Sequence, residues 1–118
     1  MIRSVILCFF LAAMACDDAD DSYSDSILLA SAKCGKSPSD MRWLDDIIKE
    51  SQHDVGLSGN IYAVNVDSKV IFIHQPAVMS CYACIMYDCN GDRIEPTAVD
   101  LQKVANAMGP SALIYSPY

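Results

Sequence analysis

Basic residues are scarce: Lys and Arg together number 8 against 15 Asp and Glu, and the formal charge is −7. Phosphate backbones are held by clustered Lys and Arg, so this composition argues against a nucleic-acid partner. Long apolar runs are also missing. The N-terminal one, residues 5–15, falls short of the ~20 residues a helix needs to cross ~30 Å of hydrocarbon. No serine stands in a G-x-S-x-G turn, which removes the nucleophile motif of the α/β-hydrolases. Histidines are few, only His53 and His74. Neither sits in a recognisable nucleophile motif, and each is expected to be a boundary residue, one ending a helix and one ending a strand. No internal repeat occurs, and no low-complexity segment beyond one acidic stretch.

That acidic stretch belongs to the most informative part of the chain. Arg3 precedes the short apolar run, small residues end it at Ala15, and Cys16 is followed by Asp17, Asp18, Asp20 and Asp21. A basic residue, a short greasy core and small residues at the cut describe a secretory signal peptide over residues 1–15, an address rather than an anchor. The run Ala13-Met14-Ala15-Cys16 resembles the signals of bacterial lipoproteins. The resemblance implies that Cys16 becomes the lipidated, palmitate-bearing first residue of a mature protein. It implies a place in the bacterial cell envelope, fixed to a membrane through the lipid, with the outer membrane and its surface as the expected location. Residues 16–33 then read as lipidated cysteine plus a disordered acidic tether, because mutual repulsion favours an extended, solvated chain. Within it, Ile27-Leu28-Leu29-Ala30 suits a short strand, a helical turn or more tether equally well.

Residues 34–118 are left for one small domain. So few residues bury only a modest share of their surface and are marginal by burial alone. Cys34, Cys81, Cys84 and Cys89 can supply the missing stability, since an even cysteine count in a small exported domain implies disulfides. Three pairings are open. The favoured one has a long bridge from Cys34 to the segment 81–89, with the other two cysteines paired locally.

Ser37, Pro38 and Asp40 make a capping signal for a helix over residues 38–53. Met41, Leu44, Ile47, Ile48 and Val55 fall on one side of it, with Trp43 at the flank. Residues 60–66 alternate, and residues 69–74 are apolar on both faces, so the pair reads as a hairpin with the second strand the more central. Pro76 is expected to end the pairing. Residues 81–89, the turn Asn90-Gly91 and residues 92–95 suggest a second hairpin. Thr97 and Asp100 suggest a capped second helix, with Ala98, Leu101, Val104, Ala105 and Met108 as its apolar stripe. A last strand follows over residues 112–115. The expected fold is therefore α+β: an antiparallel sheet of about four to five strands with two helices packed on one face.

Trp43-Leu44, Ile61-Tyr62, Gln75-Pro76, Cys81-Tyr82-Ala83-Cys84 and Tyr87-Asp88-Cys89-Asn90-Gly91 together resemble a family of small bacterial lipoproteins with no assigned activity. The resemblance covers about residues 40–94. It implies localisation and fold, and brings no catalytic residues.

Three constellations compete with that reading. Cys81-x-x-Cys84 has the spacing of a redox pair, but a redox cysteine needs a helix N-terminus to depress its pKa, and this pair is expected in a loop entering a strand. The four cysteines could offer thiolates to zinc, with His74 as a spare imidazole, yet zinc sites draw on two tight knuckles and Cys34 stands alone. Asp88, Asn90, Asp92 and Glu95 cluster oxygens as calcium loops do, but Gly91 falls too early in the run. Catalytic residues, metal and cofactor are accordingly expected to be none. The expected function is a non-enzymatic binding or envelope-structural module facing an unknown protein or small-molecule partner. The alternative is a thiol-active protein that uses the CxxC pair for redox or zinc chemistry. Tyrosines 62, 82, 87, 115 and 118 could mark a recognition surface, although tyrosine is equally a good strand residue.

Overall fold

A computed structural model of the chain describes residues 23–77 and 85–118. The expected signal peptide, Cys16, Cys81, Cys84 and Tyr82 lie outside the described residues. Among the described residues, three α-helices, α1 (Asp25–Cys34), α2 (Arg42–His53) and α3 (Leu101–Ala107), pack on a sheet of β1 (Gly59–Val66), β2 (Lys69–Pro76), β3 (Ile85–Tyr87) and β4 (Leu113–Tyr115). All pairings are antiparallel, in the order β3-β2-β1-β4. The α+β class and the four-stranded antiparallel sheet are those expected from the sequence.

Helix α1 corrects the tether. Residues 25–33, assigned above to a disordered segment, form a helix whose Ile27 and Ala30 are fully buried. Ser24 starts it by accepting a hydrogen bond from the Ile27 N–H at 3.3 Å. Gly35 stops it in the left-handed region, at φ +66°, where its N–H and that of Lys36 return to the carbonyls of Ala32 and Ser31. Burial of two apolar side chains outweighs the repulsion carried by the aspartates upstream. Residues 25–33 thus belong to the folded domain and not to the tether.

Helix α2 buries Leu44 and Ile48 at the expected spacing, with Met41 buried in the turn just before it, and Asp45 pairs with Lys49 at 3.0 Å. Its start differs from the expected cap. Residues Pro38–Met41 form a 3₁₀ turn, and the Ser37 hydroxyl bonds the Asp40 carboxylate instead of a backbone amide. Val55, expected on the apolar stripe, is 83% exposed because the helix has already ended at His53.

The hairpin β1–β2 turns through Asp67 and Ser68, both at positive φ, as a two-residue loop matched to strand twist requires. Pairing continues to Gly59↔Pro76, so Pro76 closes the ladder from inside it. The approach there is tight. A Cβ on Gly59 would stand 2.1 Å from the Gln75 carbonyl oxygen, a space that admits no side chain.

The helices do not share one face, contrary to expectation. Ile61, Ala63 and Phe72 join α1 and α2 in one core, whereas Val64, Val66, Ile71, Ile73 and Met86 join Val104 of α3 in another. The cause is legible in β2. A strand apolar on both faces must be covered on both. The cap of α3 also moves from Thr97 to Asp100, whose carboxylate accepts from the N–H groups of Gln102 and Lys103 at 3.0 and 3.3 Å. Extended Val99 separates the 3₁₀ turn Pro96–Ala98 from the helix, which leaves Ala98 exposed. The expected return strand over residues 92–95 shrinks to one bridge, Tyr87↔Arg93, beside an Ile94 N–H bond to the Met86 carbonyl at 3.0 Å.

Each edge strand carries a contact beyond its ladder: the Ile94 N–H bonds the Met86 carbonyl of β3, and the Ser26 hydroxyl of α1 donates to the Ile114 carbonyl of β4.

Candidate functional site

Of the cysteines singled out from sequence, Cys34 and Cys89 meet. They form a disulfide with Cα atoms 5.8 Å apart, joining the last residue of α1 to the turn after β3. The αL stop at Gly35 turns the chain at this point, and Asn90 and Gly91 reverse it on the other side. Lys36 adds a second tie by donating from Nζ to Asn90 Oδ1.

An aromatic stack covers the bridge's neighbourhood. Trp43 meets Phe72 edge-on, with ring centroids 5.4 Å apart and planes at 80°, and leans on Tyr87 at the same separation. The Arg93 guanidinium lies over the Tyr87 ring, 5.7 Å from its centroid. Trp43 Nε1 donates to the Cys89 carbonyl at 3.3 Å. Gly91 completes the fit, because at φ +87° it lies against the indole and a Cβ there would come within 2.6 Å of Trp43 Cγ. No sequence pattern announces this Trp43–Gly91 contact, since the two residues come from elements far apart in the chain.

The chemistry left to this corner is small. Cys34 and Cys89 have spent their thiols on each other, so they are not available as zinc thiolates. Asp88 Oδ1 accepts from the N–H groups of both Asn90 and Asp92, at 2.8 and 3.0 Å, which commits that oxygen to the turn. The corner is a staple.

His74 is 5% exposed on β2, where Nε2 donates to the Leu57 carbonyl at 2.8 Å. Because a carbonyl only accepts, this ring nitrogen carries the proton. Burial pushes the His74 pKa below its ordinary value, while the bond to Leu57 opposes the shift. The neutral ring is therefore the native form. Unfolded chain binds the proton more readily, so the stability contributed by His74 is full above about pH 6.5 and is lost as pH falls through the lowered native pKa. His74→Gln keeps an N–H donor and cannot titrate. Melting curves from pH 7.5 to pH 4.5 should show a smaller acid loss in this variant than in the parent, and equal losses would contradict the assignment.

The other sequence candidates stay apart. His53 lines an open groove of about 550 Å³ with Ser51, Val55, Ser58, Tyr115 and Pro117. Tyr62 accepts from Asn60, Tyr87 belongs to the stack, Tyr115 lines the groove beside His53 and Tyr118 projects into solvent. Among the described residues, no group of three or more His, Cys, Asp or Glu converges as metal ligands would.

No family model matches the sequence, and neither the curated proteins nor the solved structures compared with it give a match.

Proposed function

We propose that this protein is an exported lipoprotein, anchored through Cys16, whose stapled α+β domain works as a non-enzymatic binding or structural module of the bacterial cell envelope. The observation that carries the reading is the Cys34–Cys89 disulfide. Such bridges form and persist in oxidising compartments outside the cytoplasm, which is where a signal peptide would send the chain. A greasy run too short to span a bilayer, small residues before Cys16 and aspartates after it support the same address. Cys34 and Cys89, Asp88 Oδ1, Asn90 Oδ1 and Trp43 Nε1 are engaged in holding the corner together, which favours binding over catalysis there.

Cys16→Ser tests the anchor. Fractionation should move the protein out of the membrane pellet or leave it unprocessed at full length. Unchanged membrane retention with normal cleavage would contradict the proposal.

A second reading rests on what the bridge leaves behind. With Cys34 and Cys89 joined and Cys16 carrying lipid, Cys81 and Cys84 are the remaining cysteines of the exported chain, and a thiol-active role would belong to them. Insulin reduction by the purified protein separates the two readings: turnover that disappears in Cys81→Ser favours the thiol-active one.

A further inference from the structure

We infer that the outward face of α1 rests on the surface of the bilayer that holds the lipid anchor. The inference depends on the anchor proposed above. Helix α1 is apolar on two sides: Ile27 and Ala30 enter the core, while Leu28 and Leu29 remain 46% and 48% exposed, followed by exposed Ala32 one turn later. Among the described residues, neither leucine belongs to a hydrophobic core cluster. Leu28, Leu29 and Ala32 make a small exposed apolar face, with Asp25 in the first turn and Lys33 in the last turn of the same side.

Chain length says what covers it. Only residues 17–22 separate Cys16 from Tyr23, and even a fully extended chain gains at most about 3.5 Å per residue. Tyr23 therefore lies within about 25 Å of the lipidated residue and the start of α1 within about 32 Å, distances comparable with one small domain. A domain held so closely must turn one of its sides toward lipid. The side that begins where the tether ends is α1.

Charge refines the surface. Asp17, Asp18, Asp20 and Asp21 precede the helix and Asp25 opens it, so an anionic surface repels this region, whereas a zwitterionic one does not. Lys33, in the last turn of the exposed side, supplies a cation at the level of lipid phosphates. The face sets orientation, and the acyl chains of Cys16 supply the affinity.

The test uses lipidated protein extracted from membranes and reconstituted in phosphatidylcholine vesicles, with or without bromine on acyl carbons near the headgroup. Bromine quenches tryptophan on contact. Leu29→Trp adds one reporter to native Trp43, and Gln102→Trp places a control on exposed α3, across the sheet. The extra emission at position 29 should fall at least twofold in brominated vesicles, with the emission at position 102 unchanged. If Leu29→Trp protein floats with the vesicles and its extra emission is unquenched, this inference is wrong and the anchor stands. Failure to float with no lipid in the intact mass overturns both. A dimer of soluble Cys16→Ser protein that dissociates in Leu28→Asp/Leu29→Asp would assign the face to a second copy instead.

Discussion

Replacing both Cys34 and Cys89 by alanine is expected to cost about 4 kcal/mol of unfolding free energy. The bridge spans 55 positions and closes nearly the whole first part of the domain into one loop. Removing it returns to the unfolded chain the entropy that closure had taken away, and so stabilises the unfolded state. The native state loses little by comparison, because Ile27 and Ala30 still bury and Ser26 still bonds Ile114. A domain of this size has roughly 5–10 kcal/mol in all, so the loss is a large fraction. Thermal unfolding followed by circular dichroism should show the midpoint falling by roughly 20 °C. A fall of less than about 5 °C would mean that the bridge contributes little, and the staple would lose its meaning.

Phe72→Ala should cost a similar amount, about 4 kcal/mol, by a different route. Phe72 is fully buried on the central strand β2, where one face of its ring meets the edge-on contact with Trp43 and its neighbours include Ile27, Leu44 and Ile61. Truncation leaves a cavity bordered by two helices and two strands. Backbone hydrogen bonding fixes the strands, so little collapse can fill it. Phe72→Leu fills most of that volume and should cost about 1–1.5 kcal/mol. Urea unfolding, read by Trp43 fluorescence, measures both. The ranking is the useful outcome: equal losses would show that this core relaxes freely and that α1 and α2 are not packed through it.

Particular elements show what the sequence made legible. Helix α2 and the hairpin β1–β2 stand out because their apolar spacing is dictated locally, by a helical stripe and by alternation. The cysteine pairing was narrowed to a long bridge from Cys34, and geometry chose Cys89. Helix α1 was obscured by its neighbours: five aspartates suggest an extended chain, while Ser24 and Gly35 bracket a capped helix just as plainly. The second face of the sheet was also visible, since Ile71 and Ile73 are as apolar as Phe72, and α3 is what covers them. The shift of the α3 cap to Asp100 follows from competition between two acceptable caps three positions apart, which spacing alone does not resolve. The stack of Phe72, Trp43, Tyr87 and Arg93 over Gly91 had no local signature. It exists only once β2, β3 and α2 are assembled.

The most direct measurement is the intact mass of protein extracted from membranes, taken before and after denaturing reduction. The account predicts a chain beginning at Cys16, heavier than its sequence by the mass of two or three acyl groups, that gains two hydrogens on reduction of Cys34–Cys89 and two more if Cys81 and Cys84 are also joined. A mass that retains Met1 through Ala15, carries no lipid and does not change on reduction would contradict it.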